Sequence, residues 1–281
     1  MRQVSATIAF LSTLWESRSM AHHNEIVRES FTAQAKAFAA NPWVTDKQRI
    51  RRLVAAARLT GNERVLDIAT GPGYIAEAFA RAARDVIGVD LTAAMLAIGE
   101  ERTKKRGVPN VSFRIGDVQN LPFEKEEFDV VVTRLALHHM QNPAKVVREM
   151  ARVCRLGGTV LVEDIYGSEH SQRAAYQDRW EKLRDPSHVR TLPISELLHL
   201  FREAGLETDS LSTFEDLCPE LERWLATTRV PPGDAAEVRR LLEEDRLHDL
   251  SGTRPFLDAA GQRHFHARTA TLAGRRFRLL T

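Results

Sequence analysis

Three carboxylates and a pair of histidines carry the chemistry legible in this sequence. Asp67 lies in Val65-Leu66-Asp67-Ile68-Ala69-Thr70-Gly71-Pro72-Gly73, an apolar run that passes through a Gly-x-Gly turn before a helix-like stretch. Such a turn lets a ligand approach the backbone and leaves helical N–H groups free to meet it. By itself the turn is a weak signal, because nicotinamide and flavin enzymes use it too. Asp67 discriminates: a carboxylate just ahead of the turn repels a pyrophosphate and attracts an ammonium group. The third position of the dinucleotide fingerprint is also altered, with Ala76 where glycine is usual. Asp90 falls about 17 residues past Gly73, near where an acidic residue grips ribose hydroxyls in nucleotide-binding sheets. Asp117 follows Phe113-Arg114-Ile115-Gly116, at the end of the next strand-like stretch. Together the three suit a ligand with an amino-acid end, a ribose and an adenine. His138 and His139 are candidates for taking a proton near neutral pH.

These residues need strands to hold them in line. The pattern predicts strands over Arg64–Ile68, Val86–Asp90, Val111–Gly116, Phe128–Thr133 and Thr159–Asp164, with helices over Ile75–Ala83, Ala93–Arg106 and from Asn142 to the Gly157-Gly158 pair. Strands alternating with crossover helices imply a mostly parallel sheet covered on both faces, an α/β fold of the doubly wound kind. Ligands in such sheets bind outside the carboxyl ends of the strands, where all three aspartates fall. Two helices, Glu25–Ala40 and Asp46–Arg58, precede the first strand, the second with Gly61 as its stop. Beyond Asp164 the pattern loosens into a helical insertion over 165–193, a helix over Ile194–Ala204, an edge strand over Glu207–Phe214, helices over Pro219–Thr227 and Asp234–Leu247, and a last strand over Gln262–Thr271. Three regions follow: an N-terminal extension and helical lid over 1–60, a cofactor-binding core over 61–165, and substrate-side insertions with the last strands over 166–281.

A chain of 281 residues with 43% hydrophobic and 28% charged content is that of an ordinary globular protein. The 40 basic and 38 acidic residues nearly cancel, which argues against a nucleic-acid binder. The basic clusters Arg49–Arg52, Lys104–Arg106 and Arg275–Arg278 read as solvated faces. Cys154 and Cys218 have no ligand spacing around them and read as buried or incidental thiols in a reducing, cytoplasmic compartment. No run approaches a membrane span. Residues 1–20 lack the charge pattern of a signal peptide, and Met20 offers a second start that would leave the first nineteen outside the fold.

The chain resembles the class I S-adenosylmethionine-dependent methyltransferases, in the branch typified by ubiquinone and menaquinone biosynthesis. The motifs that carry the likeness are Val65 to Gly73, Gly88-Val89-Asp90-Leu91-Thr92 with Met95, Gly116-Asp117-Val118, Leu135-Ala136-Leu137-His138-His139, and Arg152-Val153 through Gly157-Gly158. The likeness covers Glu25 to Asp164 most closely and extends to Gly205. It implies a seven-stranded Rossmann-like sheet whose last strand is antiparallel, with S-adenosylmethionine as cofactor and S-adenosylhomocysteine as product. By the resemblance Asp67, Ala69, Gly71 and Gly73 hold the methionine end and Asp90 the ribose. Leu91 and Met95 flank the adenine, Asp117 and Val118 meet its edge, and the Arg134 backbone lies near the sulfonium. Phe31, Gln34 and Phe38 belong to a helix that folds over the cofactor. Leu156 departs from the family, which has proline before the glycine pair; the effect is expected to stay within the turn.

The acceptor implied is a small cyclic or aromatic molecule methylated at O, N or C, with His139 as base and His138 and Tyr166 beside the substrate. An NAD(P)-dependent oxidoreductase and a non-catalytic S-adenosylmethionine-binding partner are the alternatives. His22-His23 falls in a segment read as flexible, and His264-x-His266 lacks a third ligand, so no metal is expected. Tyr176 and Trp180 suit either a pocket wall or a core. The helical lid and tail leave room for a homodimer, although no heptad seam demands one.

Overall fold

The computed structural model describes the backbone of residues 2–217 and 220–277. The elements run in the order α1 (Arg2–Ala39), α2 (Pro42–Thr45), α3 (Lys47–Ala56), β1 (Arg64–Ile68), α4 (Tyr74–Ala80), β2 (Asp85–Asp90), α5 (Ala93–Lys105), β3 (Val111–Ile115) and β4 (Phe128–Arg134). A 3-10 turn over Leu137–His139 precedes α6 (Pro143–Val153), β5 (Cys154–Ile165), α7 (Ser171–Arg184), α8 (Ile194–Glu203) and β6 (Leu206–Leu217). The chain closes with α9 (Leu221–Thr228), α10 (Pro232–His248), a two-residue hairpin of β7 (Phe256–Leu257) and β8 (Arg263–His264), and β9 (His266–Arg276).

Seven strands form one sheet in the order β3-β2-β1-β4-β5-β9-β6, with β9 antiparallel to both its neighbours. Strand order reverses between β1 and β4, which pair in parallel from Val65↔Val130 to Ile68↔Thr133. That switch point opens a crevice at the carboxyl ends of the strands. One face of the sheet packs a core around Leu66, Phe128, Met150 and Phe201, and the other a core around Leu53, Val65, Phe79 and Val132. A third cluster, Trp180 with Leu225, Val238, Leu241 and Phe265, sits among α7, α9 and α10. Every strand and helix expected from β1 to α6 is present. Among the described residues no helix is long and apolar enough to cross a membrane.

Several local readings are corrected. The first helix begins at Arg2, so residues 2–19 continue the helix that the periodicity placed from Glu25, and His22 and His23 are helical. Helix α6 stops at Val153 because the chain turns straight into β5, ahead of the glycine pair. Arg58, at φ 50°, takes the left-handed position after α3 that had been expected of Gly61. The final strand reading divides, with Arg263–His264 in the hairpin and β9 beginning at His266. Arg49 is buried, its guanidinium over the Trp43 ring at 4.7 Å, and Arg52 stacks on Phe214 at 3.7 Å, so this basic run packs on aromatics. Cys154 is fully buried and its thiol is pushed up to about 12 by burial, whereas Cys218 lies outside the described residues.

Three glycines near the crevice make room for one ring. A Cβ at Gly73, Gly88 or Gly99 would approach the Phe113 ring to 2.6, 2.8 and 2.9 Å. Phe113 on β3 thus locks α4, β2 and α5 together behind the motif turn, a close packing that tolerates no added methyl. Gly88→Ala is expected to cost about 1–3 kcal/mol in urea unfolding. Adding Phe113→Leu to that variant should recover part of the loss; purely additive losses would show that the ring is not the obstacle.

Candidate active site

Asp67 is the buried centre of the crevice. It stands one residue before the end of β1, 1% exposed, and its Oδ2 accepts a hydrogen bond from the Thr70 hydroxyl. Burial raises its pKa to about 7, the Asp90 charge adding to the effect while the Thr70 hydroxyl, the Ala76 N–H and Arg134 oppose it. The strand can end so abruptly because Ala69 takes a left-handed conformation at φ 51°, an uncommon geometry for a side-chain-bearing residue. Asp90, the last residue of β2, accepts the Gly71 N–H and the Thr92 N–H, both at 2.8 Å. Its pKa is raised by burial, against the pull of these N–H groups. The N–H of the first motif glycine is therefore held by a carboxylate.

Asp117 completes the acidic edge. Its Oδ1 accepts the Gln119 N–H at 2.9 Å, and its Oδ2 accepts Nδ2 of Asn24 at 2.9 Å. The three aspartates open on one cleft. Ala69, Gly71, Leu91, Met95 and Val118 line the same cleft, as does Arg134. Gly73 stands behind the wall, where its missing side chain is taken up by Phe113.

Helix α1 covers this cleft with the face formed by Asn24, Val27, Phe31 and Phe38. Phe31 and Phe38 meet edge to face at 5.6 Å, and Phe31 meets the His139 ring at 5.1 Å in the same way. The helix is tied down by the Asn24–Asp117 bond, by a bond of 2.8 Å between His23 Nε2 and the His139 carbonyl, and by Tyr74 Oη donating to the Ala39 carbonyl at 2.7 Å. Asn24 was not singled out from the sequence, and His23 was placed in a flexible segment. Asn24 lies seven residues before Phe31, one pair of helical turns, so extending the Phe31–Phe38 periodicity backward would have found it.

A second cavity of about 730 Å³ adjoins the first, and the two share Phe31, Phe38, Val44, Leu135 and His139 as lining residues. Gln34 lines only this second cavity, with Trp43, Gln177, Trp224, Phe265 and Arg268. His138 lines it too; its Nδ1 lies 2.6 Å from Asp164 Oδ1 and its N–H donates to Asp164 Oδ2. Burial works against the His138 cation, but Asp164 overrides it and holds the pKa above the usual value. His139 is pushed well below that value, by burial and then by the adjacent His138. The rings of the two histidines are 4.0 Å apart, and neighbouring groups whose pKa values are driven apart suit division of acid and base roles.

The partition between the cavities is pinned from beneath. Arg134 is buried, with Nε on Glu163 at 2.8 Å and Nη1 donating to the Val44 carbonyl at 3.0 Å. Glu163 also accepts the Thr271 hydroxyl at 2.9 Å, so β4, β5, β9 and α2 are joined by one buried charge pair. Leu135 follows at φ 55° and its N–H donates to the Glu163 carbonyl at 2.7 Å. Tyr166 lines neither cavity, because its ring faces the Arg268 guanidinium at 5.1 Å. Tyr176 bonds Glu244 and the Leu241 carbonyl, and Trp180 is core. Among the described residues no cluster of three metal-ligating side chains occurs, and His264 bonds Asp258 at 3.2 Å.

Fold and cleft together define an open α/β protein with a carboxylate-lined ligand site at its switch point. A family model described as "Methyltransferase domain" matches residues 66–162. An uncharacterized methyltransferase of Bacillus subtilis is 33% identical over 201 residues, covering 72% of this chain and 79% of the relative. A demethylmenaquinone methyltransferase of Renibacterium salmoninarum is 36% identical over 118 residues, 42% of this chain and 48% of that protein. Among solved structures, one described as a methyltransferase from Bacillus halodurans superposes with a TM-score of 0.77 at 29% identity, covering 82% of this chain and 100% of that one. The chain belongs to the methyltransferase family.

The raised pKa of Asp67 has a stability consequence. A group bound more tightly to its proton in the folded state supports folding fully below its unfolded value near 3.8, and this support is lost as pH rises to about 7. Asp67→Asn is therefore expected to raise Tm at pH 8, by roughly 2–6 °C for a gain of about 1–2 kcal/mol, and to leave it nearly unchanged at pH 4. Equal shifts at both pH values would show that Asp67 is not buried as a charge.

Proposed function

We propose that the protein is an S-adenosylmethionine-dependent methyltransferase acting at O, N or C of a small cyclic or aromatic molecule. The observation that carries this reading is the meeting of two cavities at one wall: a carboxylate-lined cleft on one side and an aromatic-lined cavity on the other. The first fits the cofactor by its chemistry. A buried carboxylate that burial holds near neutrality has a use for an ammonium partner, and the Gly71 N–H that a pyrophosphate would need is held by Asp90. That second point weighs against a nicotinamide dinucleotide.

In this reading Asp67, Ala69 and Gly71 would hold the amino-acid end and Asp90 the ribose hydroxyls. Leu91 and Met95 would flank the adenine, with Asp117 and Val118 at its edge and Phe31 and Phe38 closing from the lid. The Arg134 backbone borders the same cleft, Gly73 serves through the turn it permits, and Gln34 faces the acceptor. When bound, the cofactor supplies an electrophilic methyl group on a sulfonium. The chain supplies alignment, exclusion of water and a proton acceptor, the parts an in-line displacement needs. His139 alone of the two histidines borders both cavities, which gives it the base role, with His138 on the acceptor side. The regions 1–60, 61–165 and 166–281 then act as lid, cofactor core and acceptor wall in a cytoplasmic enzyme.

Calorimetric titration tests the cofactor assignment. S-Adenosylmethionine is expected to bind in the micromolar range and NAD not to bind. NAD binding with no response to S-adenosylmethionine would overturn the reading. Asn24→Ala, which removes the lid's bond to Asp117, should weaken S-adenosylmethionine about fivefold, the value of a bond worth about 1 kcal/mol.

A further inference from the structure

Between α7 and α8 the chain brings two more side chains to His139. Asp185 Oδ1 accepts both the N–H of Ser187, at 3.0 Å, and its hydroxyl, at 2.5 Å. The same Ser187 Oγ lies 3.0 Å from Nδ1 of His139. Ser187 is 0% exposed and Asp185 3%, so water does not compete for these bonds. Burial disfavours the Asp185 charge, but Arg184, His139 and the Ser187 groups outweigh it and hold its pKa at about 2. A carboxylate can only accept, and a serine hydroxyl has one hydrogen. With that hydrogen donated to Asp185, Ser187 Oγ can only accept from the imidazole. The His139 ring therefore carries its proton on Nδ1 and leaves Nε2 with a free lone pair.

The ring is held in this pose from several sides. His23 from α1 bonds the His139 carbonyl, the His139 N–H donates to the Ala136 carbonyl at 3.0 Å, and Phe31 packs against the ring. The segment bearing Ser187 is fastened to the same turn, since the Val189 and Arg190 N–H groups donate to the His138 carbonyl at 2.9 and 3.2 Å. Of the two His139 ring nitrogens, Nδ1 holds the bond to Ser187 Oγ, the Ser187 backbone supplies a further hydrogen bond to the ring, and the residue borders both cavities. Charged and titratable groups near the pair come from every side: His23 on α1, Asp164 on β5, Glu181 and Arg184 on α7, and Asp185 and His188 on the connecting segment.

We propose that Asp185 and Ser187 are positioning residues that lock His139 as its Nδ1–H tautomer, so that Nε2 receives the proton of a hydroxyl acceptor, phenolic or enolic, seated in the second cavity. The inference rests on the reading of the two cavities as donor and acceptor sites. A hydroxyl is the acceptor that gains from such a base: a neutral amine already offers a lone pair, whereas an O–H must lose its proton as the new bond forms. The acceptor oxygen's electron pair makes the bond to the methyl carbon, the carbon–sulfur bond breaks with its pair going to sulfur, and the O–H proton passes to Nε2. The imidazolium so formed keeps its Nδ1–H on Ser187 and, through it, faces the Asp185 charge until the proton leaves to water. Trp43, Trp224 and Phe265 supply flat apolar walls for a ring.

The tautomer is measurable without the acceptor. In long-range proton–nitrogen spectra of the full chain with ring-labelled histidine, His139 is expected to be neutral and protonated at Nδ1 from pH 6 to 8, its signals assigned through His139→Gln. Ser187→Ala should move the population toward the Nε2–H form that water favours, with Tm monitored on the same sample. A wild-type His139 protonated at Nε2 would overturn the proposal whatever the variant does, and so would an unchanged tautomer in a folded Ser187→Ala chain. Mass-spectrometric products from phenols and anilines of matched size, with S-adenosylmethionine, should be methyl ethers; methylation confined to the anilines would overturn the hydroxyl assignment. Calorimetry on the wild-type sample keeps the two readings apart: an Nδ1–H tautomer with no binding of S-adenosylmethionine means that the cofactor reading has failed and not the tautomer.

Discussion

A buried carboxylate with no cationic partner of its own is the constraint on which the rest of this site depends. Asp67 sits at the sheet's switch point, where placing a charge is costly unless something compensates it. The chain offers a hydroxyl from Thr70 and weak help from Arg134, whose guanidinium is already taken by Glu163 and the Val44 carbonyl. The deficit is expressed as a pKa of about 7, and in the proposed reading a ligand that brings its own positive charge would relieve it. Around it the N–H of the first motif glycine is turned to Asp90, so the turn that elsewhere cradles phosphate here orders a second carboxylate.

The second organising feature is the thin partition between two cavities. It is assembled from segments far apart in the chain: Phe31 and Phe38 from α1, Val44 from α2, and Leu135 and His139 after β4. The buried Arg134–Glu163 pair ties α2 to three strands, and breaking such a pair by removing one partner is costly because the other charge is stranded. The two cavities are thus fixed relative to one another by the sheet. Helix α1 rests on polar bonds of lower value from His23, Asn24 and Ala39, which suits the lid role proposed for it.

Much of this was legible in the sequence for a physical reason. The strands β1 to β4 are short and mostly apolar, α6 carries its Asn142 cap, and the aspartates sit at strand ends, so the signals for them are local. What was missed is nonlocal. Trp43, Trp224 and Phe265 meet around one cavity, and Ser187 reaches His139, only because α2, α9, the segment after α7 and the segment before β9 fold onto the sheet, and no spacing in the chain marks them. The roles of glycine were half legible: Gly71 orders Asp90, but Gly73, Gly88 and Gly99 accommodate Phe113, a packing demand that looks the same in sequence as a ligand's. His22 and His23 passed for a loose segment, and Asn24 went unread, because the helix that carries them has no strong apolar stripe ahead of Glu25.

If Asp67 holds the positive charge of the proposed cofactor, a carbon-13 titration of its carboxyl group reads this directly. In the free protein the Asp67 signal should titrate at about 7. With saturating S-adenosylmethionine it should remain ionised down to at least about two pH units lower, because an opposite charge at contact favours the charged form. An ordinary carboxylate titration near 4 in the free protein, or a midpoint unmoved by S-adenosylmethionine, would contradict that role for Asp67.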